Sequence, residues 1–247
     1  MNTINYIEAG DSALFCRMSD SIDPGISERI VQLHKLIQNN KVNGIIESVP
    51  SYTGLTIYFN PITIGFNKLK DLIENLNGDL ISGDKRPSAR LIKIPVCYSK
   101  EFASDIEFIA AEKGLGTEDI IELHTGAEYL VYMLGFTPGF PYMGGLNPRL
   151  ETPRKTEPDL KIKAGSVGIA GIQTGIYPLE SPGGWQIIGR TPLALVNFKA
   201  KEPFLLKAGD HVVFKAVGLE EYFKIGEAVR DKSYKPEIID YEGHQDN

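Results

Sequence analysis

His124, Glu128, Arg154 and Arg190 are the side chains best suited to move a proton or hold an anion, and all lie within a Gly/Pro-rich stretch from His124 to Val196. Histidine has the unperturbed pKa nearest neutrality, so His124, with Glu128 one strand-start away, is the natural candidate for proton transfer. Arg154 and Arg190 can each make bidentate contacts to a carboxylate or phosphate. Backbone N–H groups of Gly183 and Gly184 suit an anion-binding nest. Gln173, Thr174, Tyr177 and Ser181 are placed to orient a small polar ligand by hydrogen bonds, with Trp185 as a pocket wall or core anchor.

Plainer roles compete with these. His124 ends a predicted helix, where a cationic side chain equally favours the dipole. Arg154 sits in the polar run TPRKTEPDLK and also reads as a solvated loop residue. Phe136, Phe140 and Tyr142 read as packing before they read as ligand stackers. Arg190, between Gly189 and Thr191-Pro192, is harder to explain as bulk, because an unpaired guanidinium is rarely buried.

Several chemistries are absent from the sequence. There is no Gly-x-x-x-x-Gly-Lys-[Ser/Thr] phosphate loop. Gly165-Ser166-Val167-Gly168 lacks the spacing of a nucleophile elbow. His34, His124, His211 and His244 are scattered and have no cysteine partner at ligand spacing, so no protein-built metal site is expected. Ser82-Gly83-Asp84-Lys85 matches Ser-x-x-Lys, a match short enough to arise by chance. A net charge of -6 over 247 residues argues against nucleic acid or an anionic membrane as the main partner. The start lacks a basic segment followed by an apolar core, so a cytoplasmic location is expected. Cys16 and Cys97 each stand alone in apolar runs, as reduced buried thiols do.

The elements that must position these residues fall into two groups. Residues 12–18 read as a strand, and Asp23-Pro24 supplies an N-cap and first-turn proline for a helix to about Asn39. Strand-like runs follow at 44–49 and 54–59, then a helix from about Phe66 to Asn77. This β-α-β-β-α string needs one more strand to complete a ferredoxin-like β-α-β-β-α-β unit. The polar segment 82–88 marks the boundary, giving an N-terminal α+β domain over 1–85. Beyond it, 91–98 reads as a strand and 101–113 and 117–124 as helices, with Thr117 as N-cap of the second. Strands at 128–134, 167–171, 185–189, 193–198 and 211–217 suggest a closed β-barrel over 86–230, covered by a helix at 219–229. Residues 231–247 read as a loose polar tail.

The runs His124-Thr125, Gly135 to Gly145 (GFTPGFPYMGG), Pro153-Arg154, Ala164 to Gly171 (AGSVGIAG), Gln173 to Pro178 (QTGIYP), Ser181 to Trp185 (SPGGW) and Gly189 to Pro192 (GRTP) carry a resemblance. Together they resemble the allophanate hydrolase subunit 1 family, which includes the B subunit of bacterial 5-oxoprolinase and the inhibitor of sporulation kinase A. The resemblance spans nearly the whole chain. It implies that the second domain is cyclophilin-like, and that the protein works with C and A subunits to open 5-oxoproline to glutamate with ATP. It also implies two alternatives: a non-catalytic inhibitor docking on a histidine kinase, or a subunit of an allophanate or urea amidohydrolase. On the first reading His124, Glu128 and Arg190 serve the chemistry, while Arg154, Gln173, Thr174, Tyr177, Ser181, Gly183, Gly184 and Trp185 bind substrate. With no nucleotide-binding loop, the lone chain is expected to be inactive, and ATP belongs to the complex.

Overall fold

A computed structural model describes residues 4–82 and 89–241, which divide into two compact units, Met1–Ser88 and Ala89–Asn247. The boundary expected at 82–88, with the Ser-x-x-Lys match inside it, lies almost wholly outside the described residues.

The first unit is a four-stranded antiparallel sheet built from β1 (Asn5–Glu8), β2 (Ala13–Arg17), β3 (Ile45–Pro50) and β4 (Gly54–Phe59), in the order β1-β2-β4-β3. Helices α1 (Pro24–Asn40) and α2 (Phe66–Ser82) supply its core partners. Asp23 caps α1 by accepting the Ile26 N–H at 2.8 Å, satisfying a first-turn donor that has no partner within the helix. Ile30, Leu33 and Ile37 repeat at helical spacing and bury against Leu14, Leu55, Ile57, Leu69 and Ile73. The strand expected after α2 is not what completes the sheet. Residues 5–8 pair with β2 instead, so the fourth place is filled from the N-terminal side.

The second unit is an eight-stranded sheet. Its strands are β5 (Ala89–Val96), β6 (Glu128–Leu134), β7 (Pro141–Gly144), β9 (Ser166–Ala170), β10 (Gln173–Ile176), β12 (Gln186–Arg190), β13 (His211–Ala216) and β14 (Glu237–Tyr241). A separate ribbon pairs β8 (Asp159–Ile162) with β11 (Ser181–Gly183). The sheet order is β12-β9-β10-β7-β6-β13-β5-β14, with the β13–β5 pair parallel and the others antiparallel. Just past β5, Cys97 exchanges both backbone hydrogen bonds with Arg190 of β12, each 2.9 Å. That bridge joins the two ends of the seven-strand run from β12 to β5 and removes its open edges. The interior is filled by Ile92, Ile94, Tyr129, Val131, Met143, Val167, Ile169, Ile176, Ile188, Val212 and Phe214.

Helices α3 (Ile106–Lys113), α4 (Thr117–Thr125) and α5 (Leu219–Arg230) belong to this unit. Gly116, rather than Thr117, is the N-cap of α4, and the Asp119 carboxylate accepts its N–H at 2.8 Å. The run 193–198 forms no strand. Leu193 and Leu195 are buried, and Val196 makes a single bridge to Phe204. The tail expected from residue 231 instead contributes β14, five residues in register with β5. Among the described residues no helix is long and apolar enough to cross a membrane.

Candidate functional site

His124 ends α4 inside the barrel with none of its surface exposed. Thr174 Oγ donates to the Gly168 carbonyl at 3.0 Å, so its one proton is spent and it accepts from His124 Nε2 at 3.0 Å. The other ring nitrogen, Nδ1, then accepts from Tyr98 Oη at 2.8 Å. Phe214 stacks on the imidazole with centroids 4.5 Å apart, and Tyr129 Oη donates to the His124 carbonyl. Burial lowers the pKa of the ring to about 3. Both ring nitrogens are therefore committed and the ring is neutral and fully buried, an environment that does not favour the proton-transfer role expected of His124. Thr174 is fully buried in the same chain of bonds.

Glu128 does not join His124 either. Its Oε1 accepts from Tyr241 Oη at 2.7 Å and lies 2.7 Å from His211 Nδ1, which ties β6 to β13 and β14. Tyr177 and Trp185, 1% and 4% exposed, pack with Phe140, Ile162 and Ile187 in a second apolar cluster, and burial pushes the Tyr177 hydroxyl up to about 12. Gly183 and Gly184 are absent from the positive-φ residues, so they do not form the alternating backbone of a nest. Gly183 pairs with Asp159 under the Tyr177 ring, and Gly184 offers its carbonyl to the Lys155 N–H at 2.7 Å. Gln173 is half-buried on β10, and Ser181 Oγ is buried without a hydrogen-bond partner among the described residues. Arg154 is exposed, with its guanidinium carbon 6.0 Å from the Trp185 ring.

Arg190 is the member of the expected trio that reaches an opening. It lines a cleft of about 180 Å³ together with Glu101, Phe102, Ser104, Asp159, Lys161, Ile162, Lys163, Ser166 and Ile187. Its Nε donates to the Ala164 carbonyl at 2.9 Å, and its guanidinium lies 5.7 Å from the Phe102 ring. Gly165 keeps this wall tight. Its φ is +85°, and an added Cβ would stand 2.4 Å from the Thr191 carbonyl oxygen. Gly165→Ala is expected to cost about 2–4 kcal/mol, combining left-handed strain with a backbone clash, as read from urea unfolding.

The floor of the cleft rests on a linkage that sequence reasoning missed. Asp105 Oδ2 accepts the Ile187 N–H at 2.6 Å, at the register shift of β12, and also pairs with Lys155 Nζ at 2.7 Å. Lys155 reaches Asp159 at 2.7 Å as well. Burial alone would lower the Lys155 pKa, but hydrogen bonds to the two carboxylates outweigh it and hold the ammonium charged. Ser104-Asp105 in the middle of the stretch 101–113 was the available signal, since both are helix-capping types and α3 begins at Ile106. Lys163 and Ser166 carried no signal beyond polarity.

The family model for the carboxyltransferase domain, subdomain C and D, matches residues 4–206. The chain is 40% identical over 225 residues to the 5-oxoprolinase B subunit of Bacillus subtilis (strain 168), covering 87% of this chain and 93% of that protein. It belongs to the family of the 5-oxoprolinase B subunit. The crystal structure of TTHA0988 superposes with a TM-score of 0.75 at 33% identity, over 83% of this chain but 40% of that one. The K. lactis urea amidolyase shares the fold, with a TM-score of 0.77 at 22% identity over 96% of this chain and 16% of that one.

Among the described residues, the Arg190 cleft is the opening that a residue of the expected catalytic trio lines. The cleft does not fit a nucleotide. Its volume is below the roughly 300–1,000 Å³ that drug-sized ligands occupy, and it has no phosphate loop. The larger hollow beside α5 is lined by Glu220, Glu221 and Lys224. Among the described residues no group of His, Cys, Asp and Glu is arranged to hold a metal ion. Cys16 and Cys97 are buried free thiols, and burial raises the Cys16 pKa to about 12, which leaves it unreactive.

Proposed function

We propose that this chain is the B subunit of a multi-subunit, ATP-dependent 5-oxoprolinase, an amide hydrolase that opens 5-oxo-L-proline to L-glutamate in the cytoplasm. The observation that carries the proposal is the 40% identity across 93% of the Bacillus subtilis protein. On this reading the first unit is a ferredoxin-like layer whose fourth strand comes from the N-terminal side, and the second is a cyclophilin-like barrel. The chain supplies part of a composite site shared with a C subunit, and works with an A subunit. ATP is bound by the complex, and this chain carries no Gly-x-x-x-x-Gly-Lys-[Ser/Thr] loop of its own.

Within that site Arg190 offers a fixed positive charge beside the Gly165 turn. A lactam is a resonance-stabilised amide, and opening it requires fixed donors for the charge that develops. Arg154, on the exposed rim beside Trp185, and Gln173 and Ser181 are the substrate-set residues that remain candidates for contact with ligand or partner. His124, Glu128, Thr174 and Tyr177 hold the barrel instead. An amidohydrolase of urea or allophanate is the weaker alternative, since the urea amidolyase of Lachancea kluyveri is 25% identical and the match spans 14% of it. Docking on a histidine kinase is the other alternative.

Co-expression tests the assembly. A tagged copy of the chain is expected to co-purify with the C and A subunits at fixed stoichiometry. Recovery of the chain free of both, together with lowered autophosphorylation of a histidine kinase on its addition, would favour the inhibitor reading.

A further inference from the structure

The geometry points to the Arg190 cleft as a binding site for a small monocarboxylate, which on the oxoprolinase reading is the carboxylate of 5-oxo-L-proline. Its lining carries three cations, Lys161, Lys163 and Arg190, against two anions, Glu101 and Asp159. Asp159 shares Lys155 with Asp105, each at 2.7 Å, and Lys161 pairs with Glu180 at 3.2 Å. Lys163 and Arg190 make no ion pair among the described residues, which leaves both cations free to meet an anion.

One guanidinium and one ammonium facing a small space suit a single carboxylate. Ser166, 6% exposed and on the cleft wall, adds a hydroxyl that can donate to the same group. Phe102, Ile162 and Ile187 form an apolar wall for the hydrocarbon part of a small ring. Arg190 is held by Ala164 O and by its backbone bridge to Cys97, so little ordering remains for binding to cost. The volume of about 180 Å³ admits a ligand the size of a single small ring and excludes a nucleoside triphosphate.

The test is a ligand-observed NMR titration of the full chain with 5-oxo-L-proline, with 2-pyrrolidinone (the same lactam without its carboxylate), with inorganic phosphate and with ATP. Saturable binding of 5-oxo-L-proline is expected, weakened at least tenfold by Arg190→Gln and by Lys163→Gln, with no binding of 2-pyrrolidinone. Lys163 is exposed, so its variant reports on the cleft without disturbing the barrel, and urea unfolding verifies both folds. Absence of binding, equal binding of 2-pyrrolidinone, indifference to both substitutions, or tighter binding of phosphate or ATP would each overturn the proposal. The two readings fail separately. An active assembly whose KM ignores both substitutions removes the cleft and leaves the oxoprolinase assignment; carboxylate binding without turnover in any combination with A and C removes the assignment and leaves the cleft.

Discussion

Asp210→Ala is expected to destabilise the barrel unit by about 3 kcal/mol, the low end of the range for breaking a buried charge pair. Asp210, 4% exposed, accepts Arg90 Nε at 2.9 Å and a second Arg90 nitrogen in a bidentate pair, and its Oδ2 also accepts the Lys207 N–H at 2.7 Å. The pair spans β5 and the start of β13, the one parallel pairing in the sheet, where β13 also continues to β6. Removing the carboxylate strands a partly buried guanidinium and an amide N–H at once. Arg90 retains its bond to the Leu205 carbonyl at 3.2 Å and some solvent, which keeps the cost from rising further. For a unit of this size the loss corresponds to roughly 6–12 °C in Tm. Asp210→Asn, which keeps an acceptor, is expected to cost less, and the double change Arg90→Met with Asp210→Leu to recover most of the loss. Urea unfolding of the three variants measures this. Equal losses for Asn and Ala would show that the pair is not the source.

Acidification is expected to destabilise the barrel well before its carboxylates titrate. The folded pKa of His124, about 3, lies below the ordinary value of 6.5 because burial penalises the charged ring. A lowered histidine pKa means that the unfolded chain binds the proton first, so the stabilisation is fully present above pH 6.5 and is lost as pH falls from 6.5 toward 3. At one pKa unit per about 1.4 kcal/mol, roughly 2 kcal/mol is gone by pH 5. His34, bonded to Ser48 Oγ at 2.8 Å and lowered by burial to about 4, acts with the same sign in the first unit, reduced by its partial exposure. Urea unfolding at pH 7.5 and pH 5 on the wild type and on His124→Gln measures the effect. The variant is expected to be less stable at pH 7.5 and to lose less between the two pH values. An unchanged pH slope would mean that the imidazole is not held neutral. Because His124 is fully buried with both ring nitrogens committed to Tyr98 and Thr174, its ionisation is expected to be missing from the pH profile of turnover.

The helices were the most legible part of the chain, because Ile30, Leu33 and Ile37 combine period with an Asp23-Pro24 start. Strands rich in β-branched residues, such as His211–Ala216, were legible for the same kind of reason. The Gly/Pro-rich stretch concealed β7 and β10, whose glycines read as turns while serving as close-packing points. At Gly175 a Cβ would come within 3.0 Å of Trp185 and Phe140 atoms. β14 was concealed by its acidic ends, which read as tail, although Ile238 and Ile239 continue the pairing with β5. In the site, the residue type alone could not decide between His124 and Arg190. A neutral imidazole between two hydroxyls is cheap to bury and a guanidinium is not, so the fold placed the first in the core and left the second beside a cleft. Asp105 meets both Lys155 and the irregular point of β12, a long-range relation with no local signature.

The most direct test of the oxoprolinase assignment is ATP-dependent release of glutamate from 5-oxo-L-proline by purified A and C subunits, assayed with and without this chain, and by this chain alone. Release is expected only when all three are present, at a rate that saturates as the chain reaches stoichiometry with its partners. Full release by A and C without the chain, or by the chain alone, would contradict the assignment.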